Sequence, residues 1–219
     1  MAQAGASLTR TGVDGGLPGP RYLVAVIVLR LSLILALSAL ALASASAAGA
    51  GGRASGSSAY ARFVAPDDVC TGASAPATSP AEATTVMTCL VNVARQRRGL
   101  RTLTTSPVLQ KAAALKLSGD QSCNEFSHTP CGSPFTTVYK LVGYTKGSWS
   151  IGENLAWGQD ELGTPAAILQ AWLESPGHRE NLFSSEWREM GIAFAQPQSF
   201  VGYQGVSLWA NSFGVQKTG

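Results

Sequence analysis

Several Ser-Pro and Thr-Pro dipeptides open segments with helical spacing, and this recurring start signal is the strongest constraint on the fold. A serine or threonine side chain accepts a hydrogen bond from a free N–H at a helix start, and proline suits the first helical position. Glu82, three residues after Ser79, completes a capping box. The dipeptides that predict helix starts are Ser79-Pro80, Ser106-Pro107, Ser133-Pro134 and Thr164-Pro165.

The residues behind these starts repeat at intervals of three and four, as on the buried face of a helix. Gly99 and Gly143 stand where the first and third helices are expected to stop, and Pro176-Gly177 is expected to end the fourth. The apolar positions of the four helices are, in order, Val86, Leu90 and Val93; Leu109, Ala113 and Leu117; Val138, Leu141 and Val142; and Ile168, Leu169, Trp172 and Leu173.

Elsewhere the apolar spacing changes to two, which indicates strands. One set comprises Trp149, Ile151, Glu153, Leu155 and Trp157, and another comprises Met190, Ile192 and Phe194. Residues 206–213 form a further candidate strand. Helices that cover a small antiparallel sheet define the α+β class. Trp157, Trp172 and Trp209 are expected in the core.

The N-terminal region has the form of an export signal. Residues 22–43 are almost wholly apolar, with Arg30 as the one charged residue, and small residues that fit an A-x-A cleavage pattern follow. An uncleaved membrane anchor is the alternative, because the segment is long enough to span a bilayer, although a buried Arg30 would then be costly. We therefore expect a secreted protein with a signal peptide at 1–47, bound to membrane only if that segment stays uncleaved.

The rest of the chain divides into an extension and one domain. Residues 48–80 are expected to be a flexible linker and N-terminal extension, because the part up to Ala65 is rich in Gly, Ala and Ser. The domain is expected at 81–216. Residues 1–47 contain three arginines and one aspartate, so they account for +2 of the chain's net charge of +3. Without a dense basic run, nucleic acid is not an expected partner.

The four cysteines, Cys70, Cys89, Cys123 and Cys131, all follow the signal segment. An even number of cysteines in an exported chain indicates disulfides, and three pairings are open. Loop closure favours the nearest partners, hence Cys70 with Cys89 and Cys123 with Cys131. A metal-thiolate site is disfavoured because there is no C-x-x-C spacing.

Glu153 and the two histidines are the candidate site residues. Glu153 shares the parity of four large apolar residues, so a regular strand would bury its carboxylate beside a partner, whereas a bulge at Gly152 would turn it to solvent. His128 lies within the loop that a Cys123–Cys131 bridge would close, and His178 follows Pro176-Gly177. The three side chains could hold Zn²⁺ or a similar divalent cation, or form a hydrogen-bonded network without metal.

The order of motifs along residues 81–214 resembles the CAP superfamily, which comprises cysteine-rich secretory, antigen 5 and pathogenesis-related 1 proteins. The chain is most similar to the bacterial secreted branch, whose domain is called SCP. The motifs are CLVNVARQRRGLRTL, FSH, GYTKGSWSIGENLAWG, AWLESPGHRENL, REMGIAFA and a final SFG. The resemblance implies an α-β-α sandwich with a three- or four-stranded antiparallel sheet between helices.

The resemblance also implies a cavity lined by histidines and acidic residues. His128, Glu153 and His178 match the family's first histidine, its GEN glutamate and its second histidine. A fourth acidic position falls on Ser175 here, and Glu174, one place earlier, is expected to face solvent. Any metal site would then have three ligands at most. Asn154 and Asn181 are expected to bind backbone groups, and Arg179 to form a surface ion pair.

Three functions remain open from the sequence. The first is an extracellular binding module whose His/Glu cavity holds a divalent cation or a small apolar ligand. The second is a metal-dependent hydrolase or peptidase, which is disfavoured because H-E-x-x-H, G-x-S-x-G and an unpaired cysteine are lacking. The third is a structural envelope protein without a ligand. The partner is accordingly a small molecule or an envelope component, and no catalytic residue is assigned.

Overall fold

The computed structural model describes residues 3–12 and 58–217. The predicted helix starts at Ser79, Ser106 and Thr164 are confirmed, since each side chain accepts a hydrogen bond from a backbone N–H three residues on. The helices are α1 (Pro80–Arg97), α2 (Pro107–Cys123), α3 (Thr137–Leu141), α4 (Pro165–Glu174) and α5 (Pro176–Phe183). Ser133-Pro134 does not cap α3, which begins after Thr136.

The main sheet has the strand order β1-β3-β7-β4-β2. Its strands are β1 (Gln3–Gly12), β2 (Thr104–Thr105), β3 (Ser148–Gln159), β4 (Glu189–Ala195) and β7 (Val206–Lys217). All pairs are antiparallel except β2 with β4, and a separate hairpin joins β5 (Ser199–Phe200) to β6 (Tyr203–Gln204). The α+β class is therefore confirmed. Four strands, β1, β3, β7 and β4, form the expected antiparallel sheet, and the short β2 adds a fifth, parallel strand at the edge beside β4.

Helices cover both faces of the sheet, as an α-β-α sandwich requires. On one face α1, α4 and α5 pack with Trp172, Trp209 and Phe213 in the larger core. On the other face α2 and α3 pack with the residues of β3 that have odd numbers, including Ile151 and Leu155. A Cβ at Gly191 of β4 would collide with the backbone of Leu109 and Gln110, so glycine is needed there for the close approach of α2.

The segment before α1 is packed onto the domain from residue 58 onward. Phe63, Ala65, Cys70 and Ala73 are all at most 4% exposed. The backbone N–H of Ala166 donates to the carbonyl of Ala73. The Gly, Ala and Ser content suggested a flexible linker as far as Ala65, but the side chain of Phe63 anchors this part in the core. The rest of the linker, 48–57, and the apolar segment 22–43 lie outside the described residues.

Both predicted disulfides are confirmed, Cys70–Cys89 and Cys123–Cys131, and the described residues contain no free cysteine. The first ties the segment before α1 to the middle of α1. The second closes the loop that carries His128. No helix among the described residues is long and apolar enough to cross a membrane.

Replacing Cys70 and Cys89 together by serine is expected to lower the free energy of unfolding by about 3 kcal/mol. The reason is the loop-closure entropy of a 19-residue separation in the unfolded chain. Urea unfolding under non-reducing conditions measures the loss, with the Cys123→Ser/Cys131→Ser pair as the shorter-loop comparison. A loss below about 1 kcal/mol would contradict this role for the bridge.

Candidate functional site

Glu153 is fully buried in the middle of β3. The pairing of β3 with β7 is continuous from Ser148 to Gln159, so no bulge at Gly152 turns the carboxylate outward. Since side chains alternate along a strand, Glu153 points with Ile151 and Leu155 toward α2 and α3. Of the two orientations that the sequence left open, the structure has the buried one, and the carboxylate needs partners on that side.

Three side chains meet the Glu153 carboxylate. His128 Nδ1 lies 2.8 Å from Glu153 Oε1, and Lys116 Nζ lies 3.6 Å from the same oxygen. The Tyr139 hydroxyl lies 3.4 Å from Glu153 Oε2 and 3.1 Å from Ser212 Oγ. Burial, together with the neighbouring carboxylate, holds the pKa of Tyr139 well above its ordinary value, so the phenol stays a neutral donor. A buried charge with this many partners is a stable arrangement.

Lys116, which lies on α2, is the cation of this cluster. Its side chain is almost as buried as that of Glu153, with 2% exposure. The ammonium donates a hydrogen bond to the backbone carbonyl of His128 and lies 5.3 Å from the centre of the Phe135 ring. These contacts orient the charge and compensate for its burial. The Lys116 ammonium therefore both neutralises Glu153 and holds the loop of His128 against α2.

Asp120, one turn after Lys116 on α2, is a second buried carboxyl group. Its Oδ1 accepts a long 3.4 Å hydrogen bond from the Ser127 backbone N–H, and Oδ2 has no partner among the described residues. Burial, with a smaller contribution from the nearby Glu153, raises the pKa of Asp120 to about 7. The group thus changes charge near neutral pH, in contact with the loop that carries His128.

His128 is oriented by its bond to Glu153. Because a carboxylate accepts, the proton of a neutral imidazole lies on Nδ1 and leaves a lone pair on Nε2. The Nε2 atom is buried and has no partner among the described residues. A fixed imidazole with one free lone pair can accept a hydrogen bond, and Glu153 acts on it as an orienting partner.

His178 lies on the other side of β3. Gly152 and Asn154, whose side-chain positions alternate with Glu153, face α5, and Asn154 Nδ2 donates to the His178 carbonyl at 3.0 Å. His178 is fully buried in the first turn of α5. Pro176 does end α4, but it also starts α5 at the first helical position. The expected end of α4 is therefore confirmed, whereas the start of α5 at Ser175-Pro176 was not predicted.

The two asparagines join the strand to α5, as their expected structural role requires. Asn181 Nδ2 donates to the Glu153 carbonyl at 3.1 Å and to Asn154 Oδ1 at 2.9 Å. Glu174 is exposed, as expected. Among the described residues, Arg179 makes other contacts in place of the expected surface ion pair. Its Nη1 donates to the carbonyls of Leu173 and Glu174, at the end of α4.

The residues present do not fit a divalent cation held by His128, Glu153 and His178. A cation bound to Glu153 Oε1 would have to displace His128 Nδ1, which lies 2.8 Å from this oxygen, and would lie beside the Lys116 ammonium, which is 3.6 Å from it. The helix with His178 packs on the opposite face of the strand. Among the described residues no group of three or more His, Cys, Asp or Glu could hold a metal ion.

Lys116, Asp120 and Tyr139 were missed from the sequence. A signal for the first two was present, because 109, 113, 116 and 120 follow one helical stripe on which Leu109 and Ala113 are apolar. A lysine and an aspartate on such a stripe are expected to be buried when that face of the helix packs against the sheet. Tyr139 carried no comparable signal, since its partners lie far away in sequence.

The protein is thus a small disulfide-bonded α-β-α domain with a buried His-Glu pair. Sequence comparison identifies the family to which this domain belongs. The CAP profile, described as the cysteine-rich secretory protein family, matches residues 89–204. That range is more than half of the chain, so the chain belongs to this family, as the motifs indicated.

Relatives and solved structures from bacteria resemble the chain. The YkwD protein of Bacillus subtilis strain 168 is 32% identical over 121 residues, which are 52% of this chain and 44% of that protein. An outer surface protein of Borrelia burgdorferi is 20% identical, with a TM-score of 0.50 over 60% of this chain and 91% of that one. It shares the fold.

An extracellular SCP-domain protein of Bacillus anthracis is 21% identical, with a TM-score of 0.48 over 61% of this chain and 40% of that one. The chain spans less than half the length of YkwD, the curated relative described above.

Proposed function

We propose that the protein acts outside the cytoplasm as a binding module without hydrolytic activity, and that its buried Lys116–Glu153–His128 cluster needs no bound cation. Membership of a secretory protein family supports export, as do the predicted signal segment and the two disulfides. A protein that shares this fold is an outer surface protein.

The position of Lys116 is the observation that carries the proposal. A buried carboxylate needs a cation, which a metal ion would supply in a site made of histidine and glutamate. Here the ammonium 3.6 Å from Glu153 Oε1 supplies the positive charge from within the chain. The Glu153 carboxylate is then an internal structural anion that orients His128.

The same contacts leave the hydrolase alternative with little support. To act as a general base, Glu153 would have to accept a proton from water while its Oε1 already binds His128 and lies beside Lys116. The described residues contain no free cysteine that could serve as a nucleophile. The structural alternative differs from a binding module only by the lack of a ligand, so a binding experiment separates the two.

Zn²⁺ and Mg²⁺ are expected to leave the melting temperature of the protein unchanged, and EDTA is expected not to lower it. A ligand present at 100 times its Kd would add about 2.7 kcal/mol, which a thermal scan resolves easily. His128→Ala and His178→Ala serve as paired variants. A metal-dependent rise in the wild type that both variants abolish would restore the three-ligand cation site and overturn the proposal.

A further inference from the structure

A groove of about 530 Å³ lies between the segment before α1, the end of α1 and helix α5, away from the His128 cluster. This volume is typical of sites for small organic ligands. Its aromatic residues are Tyr60, Phe63 and Phe183. Its charged residues are Arg62, Arg98, Arg179 and Glu180. Three arginines and one glutamate leave a net charge of +2 on the lining.

No described residue provides an anionic partner for the arginines of the groove. Neither Arg62 nor Arg98 makes a side-chain hydrogen bond or ion pair with any described residue; each guanidinium contacts an aromatic ring of the groove instead, Phe63 at 4.9 Å and Phe183 at 5.9 Å. Arg179 lies 4.4 Å from the Tyr60 ring and uses Nη1 for carbonyls of α4. Guanidinium groups stacked on rings keep their N–H edges available for an oxyanion.

A fourth arginine adds positive charge behind the groove. Arg95 of α1 is fully buried, and its Nη1 donates to the carbonyls of Leu182 and Ser184, on either side of Phe183. No carboxylate contacts it among the described residues. Burial, together with the charges of Arg188 and Arg101, lowers the pKa of Arg95 to about 10. The guanidinium stays charged at neutral pH, so the groove lies in a positive field.

The walls of the groove are fixed in the folded protein. Arg97 Nη1 donates to the carbonyls of Arg62 and Val64, which ties the segment before α1 to the last turn of that helix. The rings of Phe63 and Phe183 pack 5.2 Å apart. A groove that is already formed needs little ordering when a ligand enters.

We propose that this groove binds a small organic phosphate monoester, whose phosphate pairs with the free guanidinium edges and whose apolar body lies on the aromatic rings. The charge argues for this class of ligand, because a phosphate monoester carries about −1.5 to −2 at neutral pH and matches the net +2 of the lining. A carboxylate would neutralise only half of that charge. This site is separate from the His128 cluster, so the proposal does not depend on whether that cluster binds a cation.

Phenyl phosphate is the test ligand, and isothermal titration calorimetry of the full chain at low ionic strength is the measurement. Inorganic phosphate, benzoate and phenol separate the contributions of charge and ring. Phenyl phosphate is expected to bind with 1:1 stoichiometry, about tenfold tighter than either inorganic phosphate or benzoate, and phenol to bind weakest. The ratio to benzoate is the effect of about one charge-assisted hydrogen bond, and the ratio to inorganic phosphate is the effect of burying the phenyl ring.

The variant Arg62→Gln/Arg98→Gln is expected to weaken phenyl phosphate at least tenfold, since both residues are exposed and neither holds the fold together. Lys111→Gln/Lys140→Gln removes two exposed charges outside the groove; it is the matched control and should leave the affinity unchanged. The proposal would be overturned if phenyl phosphate binding did not saturate, or if phenol bound as tightly as phenyl phosphate. It would also be overturned if the double variant and the control lost the same affinity.

Discussion

Lys116→Met is expected to lower the free energy of unfolding by about 3–5 kcal/mol at neutral pH. The substitution keeps a long side chain in α2 but leaves the Glu153 carboxylate buried without its ammonium partner. Breaking a buried pair by removing one member is costly because the remaining charge stays in a medium of low dielectric. Urea unfolding followed by tryptophan fluorescence measures the loss.

The double variant Lys116→Met/Glu153→Gln separates pairing from packing. If Lys116 acts as the internal counter-ion of Glu153, the double variant should recover a large part of the stability, because neither charge is left buried alone. Glu153→Gln retains an acceptor for His128 Nδ1, so the loop should keep its place. Additive losses in the two single variants would show that Lys116 contributes only packing, and would contradict the proposed role of the cluster.

Asp120 should make the protein less stable as the pH rises from about 4 to 7. Its pKa is raised from 3.8 to about 7 in the fold, so between these values the folded state holds a proton that the unfolded state has released. The stabilising contribution of the protonated form is complete below pH 4 and is lost as the pH passes 7. The shift corresponds to up to about 4 kcal/mol.

Asp120→Asn is expected to match the wild type near pH 4 and to exceed its stability at pH 8 by up to about 4 kcal/mol. The amide oxygen can still accept from the Ser127 N–H. The difference between variant and wild type across pH 4–9 removes the contributions of the other titrating groups. A difference that does not grow with pH would mean that the buried carboxyl group remains ionised at low cost.

Local sequence signals determined the elements of this fold well. Ser79, Ser106 and Thr164 cap helices as predicted, since a cap depends on residues only three positions apart. The period-two spacing left two orientations open for Glu153, and the continuous pairing of β3 with β7 decided for the buried one. The Ser-Pro signal for a helix start was overlooked at Ser175-Pro176, because the same residues were interpreted only as the end of α4.

The site depended on contacts that no local pattern contains. Lys116 meets Glu153 because α2 packs against the odd-numbered face of β3, and only the arrangement of layers decides which face that is. The same arrangement puts α5, with His178, on the opposite face. The arginines of the groove likewise come from three segments far apart in sequence.

The sequence alone indicated the family and the α+β class, favoured the two disulfide pairings that the structure contains, and gave His128, Glu153 and His178 as candidate residues. Each of these inferences rests on short-range spacing or on an ordered set of motifs. The tertiary structure decided which charges meet. A buried carboxylate takes whichever cation the packing brings within reach, and in this protein that cation is the Lys116 ammonium.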